Sequence, residues 1–269
     1  MSIIVTTYNW PGALRQVLLA LDRQDSGGFE VIVADDGSTE ETVDMIRGLS
    51  DRLRYPLIHF WQEDRGFRAA RCRNQAVLKS SGQYLVFLDG DCIPRKDFVS
   101  QHRRLGARGL FVRGNRVKLN ARFTQELTES TSGDGLGGPV QVFVGWLARK
   151  IARILPLARL PQGRWRDLRK TTWQGVKTCN LGMYRDDFEG VNGFNEAFQG
   201  WGHEDADLAI RLIRNQVYRR EGTFATTVFH CFHNEQDRSN EEKNRQMLEL
   251  SFNGDLRPRQ GLHQNVQDR

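Results

Sequence analysis

Along the first hundred residues, short apolar runs alternate with segments whose apolar residues recur every three or four positions. Ser2–Thr7, 29–34, 56–61 and 83–88 read as four strands. The last of these is too short for a helix face and continuous enough to be covered on both sides. Between them, Leu14, Val17, Leu18 and Leu21 repeat at helical spacing. Ser38 or Thr39 can cap a second helix with Glu40 and Glu41 in its positive first turn. Gly66 opens a third, which carries Arg68, Arg71, Arg73 and Asn74. This alternation predicts a parallel sheet with right-handed crossovers.

Beyond Pro94 the pattern loosens. Residues 97–105 read as a short helix and 109–113 as a strand, whereas the polar, glycine-rich segment 123–138 reads as a loop. Gly133, Gly135 and Gly138 have the spacing of a dinucleotide fingerprint. No strand precedes them and Pro139 does not continue a βαβ unit, so that reading is set aside. From Pro139, which suits the first position of a helix, to Leu160, apolar Val142, Leu147, Ile151, Ile154 and Leu155 mix with Arg149, Lys150, Arg153 and Arg159. Two expectations stand for this basic amphipathic stretch, 139–160: contact with an anionic membrane surface, or packing on the main domain with solvated arginines. Strand-like pattern returns over 173–185. Leu208, Leu212 and Ile213 continue a helix that starts at Glu204 and Asp205, 224–229 reads as a last strand and 237–250 as a charged helix. The polar residues 253–269 read as a frayed tail.

Composition narrows the class. A chain of 269 residues can bury a full core, and no stretch has the apolar length to span a bilayer. Ile3, Ile4 and Val5 are followed at once by polar residues and Pro11, unlike a signal peptide. Cys72, Cys92, Cys179 and Cys231 show no paired spacing, which points to a reduced, cytosolic protein without a disulfide framework or zinc knuckle. The net charge of +6 favours anionic partners such as a nucleotide, a phosphorylated glycolipid or a membrane surface. No nucleic-acid module is recognisable, and nucleic acid is not an expected partner.

The chemistry gathers at strand ends. Leu85, Val86, Phe87 and Leu88 run into Asp89 and Asp91, held one residue apart by Gly90. At the C-terminal end of a parallel strand, such a pair invites a divalent cation carrying a diphosphate, although Asp-Gly near a proline is also an ordinary solvated turn. Thr6, Tyr8, Asp35, Asp36, His230 and His233 stand at the ends of other predicted strands and would converge on the same crevice. Tyr8 and Asp36 can supply a flat face and an edge partner for a base, and Arg68 or Arg71 a cation for the diphosphate. His233 can complete a metal site with Asp91, with His230 left as an alternative; an imidazole tilts the ion towards Mn²⁺ over Mg²⁺. Glu204 and Asp205 open a helix, where the macrodipole favours carboxylates without any function. Gly200, Trp201 and Gly202 just before them shift the balance, because an aromatic beside paired acids can grip a sugar face.

Taken together, the run of Ile4, Val5, Thr6, Thr7, Tyr8 and Asn9, the group Asp35, Asp36, Gly37 and Ser38, and Asp89-Gly90-Asp91 resemble the family 2 inverting glycosyltransferases of the GT-A fold. The run from Gly200 to Asp205 resembles the C-terminal motif shared by β-1,4-galactosyltransferases and chondroitin-polymerase-type enzymes. The resemblance implies an α/β, Rossmann-like fold with a mostly parallel central sheet flanked by helices and a C-terminal acceptor-side extension. It implies one domain over 1–252, with a nucleotide-binding half, 1–115, and an acceptor-binding and catalytic half, 116–252. By the same resemblance Thr6, Tyr8, Asp35, Asp36, Arg68, Asp89 and Asp91 bind the nucleotide, and Asp91 and His233 the metal. Asp205 is then the base, Glu204 orients acceptor or sugar, and Trp201 and Gly202 contact the acceptor. The reaction implied is a single displacement with inversion, from a UDP-sugar to a saccharide or lipid-linked saccharide, in bacterial surface polysaccharide or lipopolysaccharide assembly at the cytoplasmic membrane face. His203, where glycine is common, and Ala206, where a third acid often follows, depart from the motif and bear on donor preference more than on the reaction. Two rival classes are a metal-dependent nucleotidyltransferase and a non-catalytic sugar-nucleotide or membrane-binding protein. Residues 6–12 lack the glycine-rich, arginine-containing loop of the first, and intact Asp89, Asp91, Asp205 and His233 argue against the second.

Overall fold

The computed structural model describes residues 1–132, 139–234 and 238–264, with residues 139–141 described by their backbone alone. Strands β1 (Ser2–Thr7), β2 (Glu30–Asp35), β3 (Leu57–Trp61) and β4 (Tyr84–Asp89) lie parallel in the spatial order β3-β2-β1-β4. Helices α1 (Pro11–Asp22), α2 (Glu40–Ser50) and α3 (Ala69–Leu78) connect them. Because a strand alternates its faces, each apolar run feeds two cores. Ile3, Val5, Val31, Val33, Val86 and Leu88 pack with Leu14, Val17, Leu18 and Leu21 of α1 on one face. Ile4, Ile32, Ala34, Leu85 and Phe87 pack with Ala70, Ala76 and Val77 of α3 on the other. The continuous hydrophobicity of these runs is thus explained.

Two further strands follow α4 (Phe98–Leu105). They are β6 (Leu110–Arg113), after the two-residue β5 (Cys92–Ile93), and β7 (Arg116–Lys118). Past α5 (Ala121–Glu129) and α6 (Pro139–Leu147), strand β8 (Asn180–Tyr184) enters antiparallel between β4 and β6. After α7 (Arg185–Gly190) and α8 (Glu204–Arg214), β9 (Tyr218–Glu221) completes a seven-stranded, mostly parallel sheet by pairing parallel with β6. Strand β10 (Val228–His230) instead joins β5 and β7 in a small second sheet, and α9 (Glu241–Leu250) follows.

Several segments differ from their sequence reading. The predicted loop 123–138 is helical in its first part: α5 spans Ala121–Glu129, and the Asn120 side chain caps it by accepting from the Phe123 N–H at 2.8 Å. Residues 133–138, which hold the glycine spacing set aside above, lie outside the described residues. The basic stretch 139–160 is not one helix. α6 ends at Leu147, Arg149 takes a left-handed conformation, and Ile151 turns inward to bridge Leu119. A single 3₁₀ turn, Leu155–Leu157, follows, with Pro156 in its first positions. The strand expected over 224–229 shrinks to Val228–His230, because Phe224 has φ +65° and residues 222–226 form a turn. Strand β9 went unrecognised because Tyr218, Arg219, Arg220 and Glu221 carry little apolar signal; it is an edge strand, where charge is tolerated. Residues 253–264 are not frayed. Leu262 is buried, and the Asn192 side chain donates to the Pro258 and His263 carbonyls at 2.9 and 3.0 Å.

Candidate active site

The C-terminal ends of β1 and β4 open on a cleft of about 450 Å³. Thr6, Tyr8, Asp36, Asp89 and Asp91 from the first half line it, together with Trp201, Gly202, Glu204, Asp205, His230 and His233 from the second. A second cavity, near 500 Å³, lies at the opposite end of the strands around Met1, Glu30 and Pro56, away from these groups.

The small sheet builds the candidate metal site. β10 pairs antiparallel with β5, placing His230 opposite Cys92, and the Cys231 N–H donates to the Asp91 carbonyl at 2.9 Å. His230 Nε2 and His233 Nε2 each then lie 3.4 Å from Asp91 Oδ2. Against the cost of burial, these two imidazoles hold the Asp91 carboxyl below its usual range. Asp91 Oδ1 is buried without a hydrogen-bond partner. A carboxylate with one oxygen unpartnered and the other beside two imidazoles fits a divalent ion, with His233 the more open of the two. His230 Nε2 is also met by Arg116 at 3.5 Å.

Asp89 faces a different partner. The buried guanidinium of Arg73, on α3, donates to Thr6 Oγ1 at 3.0 Å, to Asp89 Oδ1 at 3.2 Å and to Glu204 Oε1 at 3.2 Å. Burial pushes the Asp89 carboxyl up; Arg73 opposes that shift and Asp91 adds to it. Arg73 joins β1, β4 and the start of α8 across the floor of the cleft. The sequence placed it on a helix beside Arg68 and Arg71 without singling it out; its position one turn into α3, facing the strand ends, was the available signal.

Helix α8 begins where Gly202, with φ +103°, and His203, with φ +76°, turn the chain sharply. The left-handed conformation at 203 accounts for the preference for glycine there; in this chain a histidine accepts it, with its Nε2 buried and unpartnered. Asp205 Oδ1 accepts from the Thr178 hydroxyl at 2.6 Å and the Thr178 N–H at 3.2 Å. Its Oδ2 is left facing Lys177 Nζ at 3.6 Å. Burial, followed by the charge of Asp205, pushes Glu204 up to about 7, and Arg73 opposes the shift. Lys177 Nζ and the Arg238 guanidinium lie 5.8 and 4.7 Å from the Trp201 ring centroid.

The remaining predicted residues divide. Tyr8 is exposed on the cleft and its hydroxyl donates to Asp64 at 2.9 Å. Asp36 accepts from Gln62 Nε2 at 2.5 Å and from the Arg68 N–H at 2.7 Å. Asp35 is not brought to the cleft. It is fully buried, accepting from the Ser38 N–H at 2.8 Å and meeting His59 at 3.0 Å, and so ties the turn after β2. The Arg68 side chain is also turned away, donating to the Glu63 carbonyl, and Arg71 donates to Gln62.

A mostly parallel sheet with Asp89 and Asp91 at its strand ends, faced across one cleft by carboxylates at a helix start, defines the GT-A class of glycosyltransferase folds. Residues 2–109 match the glycosyl transferase family 2 model, and 168–234 match the model described as the N-terminal domain of galactosyltransferase. The chain is 30% identical over 226 residues to validoxylamine A glucosyltransferase of Streptomyces hygroscopicus subsp. jinggangensis, covering 79% of this chain and 51% of that protein. It is 27% identical over 243 residues to chondroitin synthase of Escherichia coli, covering 84% of this chain and 34% of that protein. Among solved structures it is similar to GalNAc-T7 with UDP, GalNAc and Mn²⁺, with a TM-score of 0.58 at 16% identity over 87% of this chain and 44% of that one. The chain belongs to the family 2 glycosyltransferases. It spans about half the length of the first of these curated relatives and about a third of the second.

Proposed function

We propose that the chain moves a sugar from a nucleoside diphosphate sugar to a hydroxyl of a saccharide acceptor by a single, inverting displacement. The observation that carries this reading is one cleft with two chemically distinct carboxylate sites, Asp91 beside two imidazoles and Asp205 beside Trp201. UDP and Mn²⁺ in the similar GalNAc-T7 structure, and the transferase names of the relatives, support a UDP-sugar and a divalent ion.

Each residue then has a defined task. Tyr8 offers its ring to the base and Asp36 accepts from the base edge. A Mn²⁺ or Mg²⁺ ion held by Asp91 with His233, or with His230, would offset charge on the leaving diphosphate. Arg73 holds Asp89 and Glu204 in register, one on each side of the cleft floor. Thr178 occupies one oxygen of Asp205, leaving Oδ2 to take the proton of the acceptor hydroxyl as it attacks the anomeric carbon. Trp201 carries the acceptor's sugar face. We assign 1–115 to the donor and 116–252 to the acceptor and the base. Thermal melts with UDP, GDP and dTDP, each with and without Mn²⁺, test the donor site: one nucleotide should raise Tm in a metal-dependent way, and Asp91→Ala should remove the shift. No shift with any nucleotide would overturn the reading.

The finer proposal for the acceptor is a lipid-linked saccharide of a surface polysaccharide or lipopolysaccharide. No helix among the described residues is long and apolar enough to cross a membrane. On α6, however, Phe143, Val144, Trp146 and Leu147 are exposed, with exposed Arg149 and Arg153 beyond them. That arrangement supports peripheral contact with an anionic bilayer, which we assign to the cytoplasmic face. Changing Arg149, Lys150 and Arg153 together to Glu should weaken flotation with phosphatidylglycerol vesicles, most at low salt. Unchanged flotation would reject membrane contact through this segment.

A further inference from the structure

Cations to which the proposed reaction gives no task also line the cleft, among them Arg116, Lys118 and Lys177, the last paired with Asp205 at 3.6 Å. Arg116 and Lys118 lie two residues apart on β7, so their side chains share a face, while Val117 between them enters the core. Both line the cleft, as does Lys177. The half-buried Arg116 guanidinium donates to Cys179 Sγ at 3.7 Å and meets His230 Nε2 at 3.5 Å. No carboxylate among the described residues lies within 4.0 Å of it, and Asp89 and Asp91 act on it only from beyond contact.

A guanidinium partly withdrawn from water and aimed into a cleft without a direct carboxylate partner has capacity for an anion. Its location says which one. Arg116 touches Cys179; the residue before it, Thr178, holds Asp205; and the residue before that, Lys177, lies under Trp201. Lys177 therefore stands on the acceptor's side, while Arg116, which also meets His230 beside Asp91, lies between that side and the candidate metal site, with Lys118 next to it on β7. Resting on the transferase reading, we propose that Arg116, Lys118 and Lys177 form an anion subsite that selects a saccharide acceptor bearing a carboxylate or phosphate ester.

The test compares disaccharide acceptors ending in glucuronic acid, in glucose 6-phosphate and in unmodified glucose, with whichever nucleotide sugar the enzyme consumes. Binding of the same three to the enzyme with nucleotide and Mn²⁺ is measured by calorimetry in parallel. One charged acceptor, or both, should exceed the neutral one in kcat/KM by about tenfold, as expected for a charge-assisted hydrogen-bond pair. Which of the two does so identifies the anion. The ratio should shrink with added salt and fall towards one in Arg116→Gln combined with Lys118→Gln. Lys118→Gln alone, at an exposed position, should lower the ratio even where the double variant fails to fold. Equal use of charged and neutral acceptors by an active enzyme overturns the subsite and leaves the transferase reading intact. An unchanged ratio with weakened binding of nucleotide and Mn²⁺ in Arg116→Gln also overturns it, by showing that the guanidinium reads the donor diphosphate. If no nucleotide sugar is consumed and no saccharide binds, the transferase reading itself fails and the subsite falls with it.

Discussion

Asp205 and Glu204 are adjacent carboxylates with different surroundings, and their substitutions should separate. Asp205→Asn keeps an oxygen to accept from Thr178 and removes the basicity, so turnover should fall about 10²–10⁴-fold while calorimetric nucleotide affinity holds. Near-normal turnover in that variant, with a large loss in Glu204→Gln, would make Glu204 the base. Glu204 has its own consequence for stability. Its pKa is raised from 4.5 to about 7, so the folded state binds this proton more tightly than the unfolded chain does. The contribution is fully present below about pH 4.5 and is lost as pH rises through about 7. Glu204→Gln keeps an acceptor for Arg73 and should flatten the dependence of Tm on pH across that window. At this scale the acids and histidines were legible because charged residues at the ends of apolar runs stand out. Asp35 and Arg68 lie away from the cleft because their neighbours decide their direction: Ser38 and His59 draw one inward, and the Glu63 carbonyl draws the other away. The bridging position of Arg73 has no local signature because its three partners are 16 to 131 residues distant in sequence.

Among the elements, those covered on both faces were readable and those defined by a cap or an edge were not. β1, β2 and β4 declared themselves through unbroken hydrophobicity, whereas α5 depended on one side-chain cap and β9 on pairing with a distant strand. The turn after β2 gives a sharp test. Gly37 has φ +100°, and a Cβ there would lie 2.5 Å from Asp64 Cα. Asp64 in turn accepts from the Tyr8 hydroxyl. Gly37→Ala should therefore part the turn from the segment that positions Tyr8, at a cost of roughly 1–3 kcal/mol from backbone strain. Chemical denaturation should register the lower stability and calorimetry a weaker nucleotide affinity. Stability loss without any affinity loss would dissociate this turn from the base site.

At the scale of the whole molecule, residues 253–264 close back on the loop before α8. Asn192, in a left-handed conformation, donates to two carbonyls there and accepts from the His263 N–H at 2.9 Å, and its own carbonyl accepts from the Leu262 N–H at 2.8 Å. Asn192→Ala should lower Tm by roughly 5–15 °C through the three side-chain hydrogen bonds. A shift below a couple of degrees would make this segment dispensable. The sequence concealed it because its contacts are made by backbone carbonyls, which composition does not report. The bridge made by Arg73 has a consequence of another kind, in the order of assembly. Thr6, Arg73 and Asp89 are all present once the first four strands exist, but Glu204 arrives 131 residues after the arginine it meets. Closing so long a loop comes late in folding, after local strand and helix pairing. Perturbing this contact should quicken unfolding while leaving the refolding rate almost untouched. The groups that define the cleft would then come together among the last steps of folding, on a sheet whose first four strands have already formed.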